Sequence, residues 1–330
     1  MPRLERNNYK RNSGRPDGGK TGTVRCLSSA WLLESAPNLK ESSIIKYEDL
    51  LRCYILPELG DRELSNITNK DLLEFVNHLR TKGGISGTGL APSTVSEVVC
   101  VMNALRLHAI KHNRKILFNP ECVSIKRGKA NIRVFSIEEE RRLLMYLYNN
   151  MDLISLGILI CLCTGIRIGE LCALNWDNIN LGSRTMLICG TVQRLRIREY
   201  NYRKTRVVLL PPKSPHSFRI IPLPDLLIEL LEKYYTPEAF LLTGKKGIFM
   251  EPRVIQNRFK KILKSCDIKD ANFHCTRHTF ATRCVELGFD VKSLSEILGH
   301  SNVAITLNRY VHPTMELKAK NMNRLSELFK

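Results

Sequence analysis

Two short segments, His274-Cys275-Thr276-Arg277 and Leu298-Gly299-His300, decide the interpretation of this chain, together with Tyr310 ten residues after the second. The first segment has the spacing that brings its histidine and arginine to one face of a helix. Two histidines, an arginine and a tyrosine together can bind a phosphate and attack it. The pattern therefore predicts a reaction at phosphorus as well as a fold.

A second arginine strengthens this interpretation. Arg167 lies in Thr164-Gly165-Ile166-Arg167-Ile168-Gly169-Glu170-Leu171. Two guanidinium groups can clamp the non-bridging oxygens of one phosphodiester through forked, charge-assisted hydrogen bonds, a geometry that lysine does not provide. Glu170 either orients Arg167 or pairs with it on a helix surface.

In this order, the four motifs resemble those of the tyrosine site-specific recombinases, which include phage and transposon integrases. The resemblance covers roughly residues 24–330, and its specificity lies in the ordered set, since each motif alone arises by chance in many proteins. It implies that Tyr310 attacks the scissile phosphate, releases a 5′-hydroxyl and forms a 3′-phosphotyrosine. It also implies that Arg167 and Arg277 stabilise the negative charge that develops on the phosphate during that reaction.

The roles of the two histidines stay open. His274 either takes the tyrosine proton or orients the phosphate, and His300 hydrogen-bonds a phosphate oxygen. The resemblance also implies a hairpin lysine that protonates the leaving oxygen. Lys213, in Pro211-Pro212-Lys213-Ser214-Pro215, matches it best because turn signals surround it, and Lys204 is the second choice. The alternative for Lys213 is a plain phosphate contact.

The charge of the chain favours DNA as the partner. Its 330 residues include 51 Lys and Arg against 32 Asp and Glu, a net charge of +19, which suits a protein that displaces counterions from a phosphate backbone. An anionic membrane surface is the competing explanation, but no run of about twenty apolar residues and no signal peptide accompanies it. We expect double-stranded DNA as the partner, no membrane, and a location in the bacterial cytoplasm, at the nucleoid.

Neither a metal nor a cofactor is expected. The eleven cysteines are scattered, and no C-x-x-C pair is present to begin a zinc site, so free thiols in a reducing cytoplasm are predicted. His274 and His278 lie four apart, as helical metal ligands do, but the zinc-protease motif needs Glu where this chain has Cys275. A phosphotyrosine bond also conserves energy for rejoining, so ATP is not needed.

Four helices are predicted in the first third of the chain, after a basic tail over residues 1–23 that is expected to be disordered and that is either solvated or touches DNA. They cover residues 24–35, 43–55 (ended by Pro57), 69–80 with a Thr68/Asp71 capping box, and 92–113. They form a helical bundle over residues 24–121, and its position resembles the core-binding, SAM-like domain with which such recombinases hold DNA.

A basic linker over residues 122–134, with Lys126, Arg127 and Lys129, is predicted to cross the DNA backbone. The catalytic domain then covers residues 135–330 and begins at a Ser136/Glu139 capping box. Alternation of Arg194, Arg196 and Arg198 with apolar residues predicts a strand with a basic, DNA-facing side, and residues 205–210 and 218–222 flank the hairpin of Lys213. The fold class is therefore mainly α with a small antiparallel β-sheet: a helical bundle plus an α+β catalytic domain.

An apolar stripe near the end of the sequence predicts a final helix; its residues are Leu317, Met322, Leu325, Leu328 and Phe329. This helix either closes its own core or docks on a neighbouring protomer. The resemblance implies a homo-tetramer on paired DNA sites and a monomer when free, with an excisionase or a DNA-bending host protein as further partners. Integrases of conjugative transposons are the most similar group. A Xer-type resolvase, a type IB topoisomerase and a non-catalytic DNA-binding regulator are the alternatives.

Overall fold

The computed structural model describes residues 22–84, 87–126, 132–197, 204–212 and 217–311, and residues 319, 322 and 323. The chain divides into two compact units, residues 1–129 and residues 130–330. Most described residues are helical, and the strands form small antiparallel sheets, which confirms the predicted fold class. Within the described ranges, no helix is both long enough and apolar enough to cross a membrane.

The first unit is a bundle of helices around one apolar core, to which Trp31, Ile55, Leu72 and Leu105 contribute buried side chains. Its elements are α1 (Val24–Ser35), α2 (Glu41–Leu50), a π-helical turn (Leu51–Ile55), α3 (Leu56–Leu59), α4 (Asn69–Thr81) and α5 (Pro92–Lys111). The predicted capping box at the start of α4 is confirmed, because Thr68 and Asp71 bond each other's backbone N–H groups.

The second predicted helix does not end at Pro57. Instead, α2 continues through the π-helical turn into α3, where Pro57 is the second residue. The Leu56 N–H bonds the Leu51 carbonyl, five residues back, so the hydrogen-bond register changes just before the proline. At the start of a helical segment the missing N–H of proline costs no hydrogen bond.

A charged cluster ties α1 to α5 across the bundle. Oxygen Oε2 of Glu34 accepts hydrogen bonds from Nε2 of His108 (2.9 Å) and Nε2 of His112 (3.0 Å), and Lys111 binds the other oxygen. The glutamate and the two histidines have the spacing of metal ligands, but the Lys111 ammonium on the same carboxylate opposes a second cation. The cluster is therefore interpreted as an ion-pair network. Led by Lys111, its bonds lower the pKa of Glu34 from 4.5 to about 2.

Glu34→Gln is expected to destabilise the bundle at neutral pH and to matter less in acid. Because the pKa of Glu34 is lower in the folded than in the unfolded chain, its contribution is complete above pH 4.5 and is lost as the pH falls towards 2. Urea midpoints followed by Trp31 fluorescence, on the same helix, should differ between variant and wild type at neutral pH and converge as the pH falls towards about 2. A constant difference over that range would contradict this role of the carboxylate.

Between residues 132 and 311, the described parts of the second unit contain eight α-helices and seven short strands. The helices are α6 (Ile137–Asn149), α7 (Leu153–Thr164), α8 (Ile168–Ala173), α9 (Asp225–Tyr234), α10 (Pro252–Ser265), α11 (His274–Glu286), α12 (Val291–Leu298) and α13 (Val303–Tyr310). The strands are β1 (Ile179–Asn180), β2 (Thr185–Ile188), β3 (Thr191–Arg196), β4 (Thr205–Leu210), β5 (Arg219–Pro222), β6 (Ala239–Phe240) and β7 (Lys245–Lys246). Because α7 is apolar on every side, it lies in the centre of the core.

Strand pairing corrects the predicted hairpin around Lys213. Strand β4 pairs with β3, while β5 pairs with β2 in a three-stranded sheet that also contains β1. The β3–β4 ladder is thus nested within the β2–β5 ladder, as in one long, interrupted hairpin. Lys213 lies in the connection between β4 and β5, not in a turn joining two paired strands, and it is outside the described residues. Lys204 directly precedes β4, and its carbonyl accepts the Ile197 N–H (2.9 Å).

Candidate active site

Arg167 lies where the chain turns from α7 into α8. Helix α7 ends at Gly165 in the left-handed conformation (φ 65°), and Arg167 is the N-cap residue of α8. Its backbone N–H donates to Oε2 of Glu170 (2.9 Å) and its Nη1 to Oε1 of the same carboxylate (2.9 Å). One acid therefore fixes both the backbone and the guanidinium of Arg167, while the arginine side chain stays 38% exposed.

Gly165→Ala is expected to destabilise the protein by about 2 kcal/mol, through a strained backbone and a clash. A Cβ at Gly165 would lie 2.4 Å from Cδ1 of Phe280 and 2.9 Å from Cδ2 of Leu298. Gly247→Ala is the matched control, because Gly247 also has positive φ (72°) but its Cβ would meet nothing within 4 Å. Thermal unfolding of both variants separates the two effects, and equal losses would argue against the clash.

Arg277, on α11, is 1% exposed. Its Nη1 donates to the Gly165 carbonyl (2.7 Å) and its Nη2 to the Leu298 carbonyl (2.8 Å), while Nη2 of Arg167 donates to the adjacent Gly299 carbonyl (3.2 Å). The two guanidiniums thus bind consecutive carbonyls at the C-terminal end of α12, where the helix dipole favours cations. Burial, with Arg167 nearby, lowers the pKa of Arg277 to about 9, so it stays charged at neutral pH.

Two predicted histidines lie next to these arginines. His300 follows the left-handed Gly299 at the end of α12, and its Nδ1 is 2.8 Å from Oγ1 of Thr306. Burial and the charges of Arg277 and Arg167 lower the pKa of His300 to about 3. His274 is the first residue of α11 and more exposed, and partial desolvation together with His278 and the arginines lowers its pKa to about 4. Both imidazoles are therefore neutral at neutral pH without DNA.

Tyr310 is the last residue of α13 and is 6% exposed. Its ring is parallel to that of His300, with centroids 6.4 Å apart and 4° between the planes. Its hydroxyl lies 2.8 Å from Nδ1 of His278. Burial raises the pKa of Tyr310, so the hydroxyl is protonated at neutral pH.

Arg219, on β5, joins the site from a different element. Its Nη2 donates to Oε2 of Glu170 (2.9 Å), its Nη1 to Oε1 (3.2 Å), and its Nε to the Ile297 carbonyl (2.6 Å). The side chains of Arg219 and Glu170 are 7% and 5% exposed, so the pairing of Glu170 is not a surface one. Burial alone would raise the pKa of Glu170, but Arg219 and Arg167 together more than offset this and the pKa is lowered. One buried carboxylate therefore holds two arginines.

The structure brings five of the predicted site residues together: Arg167, Glu170, Arg277, His300 and Tyr310. His274 lies at the edge of this cluster, with its ring 4.6 Å from that of His278. The predictions missed Arg219 and His278 as site residues. For Arg219 the available signal was its place in the strand Arg219-Ile220-Ile221-Pro222, and for His278 it was its place directly after Arg277. Neither signal indicates a contact with a distant residue.

The predicted DNA-contacting residues are placed only in part. Lys126 is exposed and Arg196 is partly exposed. Arg194 is bonded to Glu251 through Nη2 (2.6 Å), so a phosphate would have to compete with that carboxylate. Arg198, Arg127 and Lys129 lie outside the described residues, as do residues 1–21 of the basic tail. Of the final apolar stripe, the structure describes Met322, which is 64% exposed, and not Leu317, Leu325, Leu328 or Phe329.

Comparison with known proteins identifies the class of the protein. The sequence profile of the phage integrase family matches residues 133–316, more than half of the chain, and the profile of the phage integrase N-terminal SAM-like domain matches residues 23–80. The chain belongs to the phage integrase family, the tyrosine recombinases, which are DNA strand-transferring enzymes.

Individual relatives agree with this family. The XerC-like tyrosine recombinase of Caldanaerobacter subterraneus subsp. tengcongensis is 26% identical over 93% of this chain and 83% of that protein. The ICEBs1 integrase of Bacillus subtilis is 21% identical over 90% of this chain and 79% of that protein. Among solved structures, the Tn1549 transposon integrase in complex with a circular intermediate DNA has the same fold, with a TM-score of 0.75, 22% identity, and coverage of 92% of this chain and 99% of that chain.

Proposed function

We propose that this protein is the integrase of a mobile element, which cuts and rejoins DNA at specific sites through a covalent bond between Tyr310 and a 3′-phosphate. One observation carries the proposal: the hydroxyl-bearing ring of Tyr310 stacks on His300, directly beside two guanidiniums anchored to the end of α12. This arrangement supports the proposal that a nucleophile and a phosphate-binding pair of arginines share one site.

In the proposed reaction, the Tyr310 hydroxyl gives up its proton to water as its oxygen bonds to phosphorus, and the 5′-oxygen leaves. Arg167 and Arg277 bind the non-bridging oxygens, since a guanidinium has five N–H donors and carbonyl bonds occupy only part of that capacity. His300 donates a further hydrogen bond, and His274, at the edge of the site, orients the phosphate. Lys213 supplies the proton to the 5′-oxygen. Attack by a second 5′-hydroxyl on the phosphotyrosine reverses the chemistry and restores the DNA backbone.

The remaining parts of the chain are proposed to bind DNA and to assemble. Residues 24–121 act as the core-binding domain, and residues 122–134 follow the phosphate backbone as a linker, with Lys126, Arg127 and Lys129 as contacts. Residues 135–330 form the catalytic domain, in which the β3–β4 ribbon supplies Arg194, Arg196 and Arg198. Four copies assemble on paired sites at the bacterial nucleoid, with an excisionase or a DNA-bending protein assisting. The final apolar stripe docks on a neighbouring copy.

The test is to trap the covalent intermediate. Purified protein is incubated with nicked substrates from the ends of its own element, so that the cleaved strand is lost and rejoining is blocked. We expect an adduct on a denaturing gel, with the nucleotide mapped by mass spectrometry to the tryptic peptide that begins at Tyr310, after Arg309. Site-specific binding without an adduct would favour a regulator. Relaxation of supercoiled DNA without strand exchange would favour a topoisomerase.

A further inference from the structure

His278 touches the oxygen that is proposed to react. It directly follows Arg277 on α11, is partly buried, and has its Nδ1 2.8 Å from the hydroxyl of Tyr310. The two rings lie 5.7 Å apart at 50°. The resemblance to known recombinases gave this residue no role. Among the residues that the structure describes, His278 is the histidine with a hydrogen bond to the nucleophile.

The other two histidines of the site are engaged differently. His300 stacks its ring on Tyr310, but its Nδ1 is bonded to Thr306. His274 lies one turn before His278, with its ring perpendicular to the His278 ring (87°). Of the three histidines, His278 is therefore the one that contacts the Tyr310 hydroxyl, which also has a side-chain hydrogen bond with Arg309.

The charges around His278 determine its protonation state. Partial burial, followed by the charges of Arg309 on α13 and Arg277 on its own helix, lowers the pKa of His278 to about 4. At neutral pH the ring is therefore neutral, with one nitrogen as donor and the other as acceptor. Because the pKa of Tyr310 is raised, its hydroxyl keeps its proton. If the hydroxyl donates, Nδ1 accepts and His278 carries its own proton on Nε2.

We propose that His278 is the positioning residue of the nucleophile: its Nδ1 accepts the hydrogen bond of the Tyr310 hydroxyl and fixes the direction in which that oxygen faces the two guanidiniums. The inference rests on the proposed function, since it assigns a partner to the same nucleophile. The proposal predicts that the reaction requires a hydrogen-bond acceptor at the position of Nδ1. It does not require His278 to take up the proton of Tyr310.

Three substitutions test the requirement. Asn places an amide near the position of Nδ1, Gln places one near that of Nε2, and Ala places none. His278→Ala is expected to slow adduct formation on the nicked substrate by about tenfold to a hundredfold with unchanged DNA binding, because a displaced nucleophile reacts more slowly. His278→Asn should recover most of that rate and His278→Gln should not. A His278→Ala enzyme as fast as wild type, or a His278→Asn enzyme as slow as His278→Ala, would overturn the proposal.

A second measurement does not depend on activity. Nitrogen NMR of the histidine rings in the full chain is expected to show His278 as the tautomer protonated at Nε2, with a shift of its Nδ1 resonance in Tyr310→Phe. The matched control is Tyr148→Phe, which changes a tyrosine on α6 that is 40% exposed and should leave that resonance unmoved. A ring protonated at Nδ1, or an unchanged resonance in Tyr310→Phe, would refute the contact. If wild type forms no adduct while the NMR result holds, the proposed function fails and the contact stands.

Discussion

Tyr310→Phe is expected to abolish covalent adduct formation, by at least about 10⁴-fold, while leaving specific DNA binding intact. The loss is that large because removing the nucleophile of a covalent mechanism removes the reaction path itself. The folded structure should tolerate the change, since the phenyl ring keeps the stack on His300 and the burial of the tyrosine. The hydrogen bond to His278 is lost, at a cost of about 1 kcal/mol, together with the contact between the hydroxyl and the exposed side chain of Arg309.

Adduct formation on nicked substrates, gel-shift binding and thermal unfolding measure the three parts of this prediction. Tyr148→Phe serves as the control for removing a tyrosine hydroxyl elsewhere, since Tyr148 lies on α6. A Tyr310→Phe enzyme that still formed an adduct would place the nucleophile at another residue. Loss of DNA binding together with the adduct would instead indicate that the hydroxyl supports the fold of α13.

Much of the site was predictable because its signals are local in sequence. The capping boxes Thr68/Asp71 and Ser136/Glu139 each involve residues three apart, and both are present. Asn302 likewise caps α13 locally, because its side chain accepts the Ala304 N–H two residues on. The motifs around Arg167, Arg277 and His300 were predicted to meet only through the family resemblance, because no local rule brings a residue at position 167 against carbonyls at positions 298 and 299.

The failures involve contacts between distant residues. The turn signals at residues 211–215 are local features of the sequence, but whether β4 pairs with β3 or β5 depends on long-range ladders that turn residues do not specify. Arg219 lies 49 residues from Glu170, and His278 lies 32 residues from Tyr310. A single arginine in a strand gives no sequence pattern that predicts its burial or its partner. Its function can be inferred only after the structure shows which carboxylate it binds.

Arg219→Met is expected to cost about 3–5 kcal/mol of stability and to reduce the rate of adduct formation by at least about a hundredfold. Removing the arginine leaves the Glu170 carboxylate, which is 5% exposed, without its bidentate partner, and it also removes the bond to the Ile297 carbonyl just before His300. The matched control is Lys260→Met. It breaks an ion pair with Asp270 whose side chains are 56% and 69% exposed, and it should cost less than about 1 kcal/mol.

The pH dependence of stability and a double variant separate the effect of the unpaired Glu170 charge from the effect of losing the Arg219 side chain. Removing Arg219 removes the strongest interactions that lower the pKa of Glu170, so this pKa should rise relative to wild type, and the stability deficit of Arg219→Met should be largest at neutral pH and shrink in acid. Arg219→Met combined with Glu170→Gln should recover part of the stability, since the unpaired buried charge is removed. It should not recover the rate, because Arg167 then lacks the carboxylate that holds its guanidinium beside the carbonyl of Gly299. Recovery of both would show that the pair serves the fold alone.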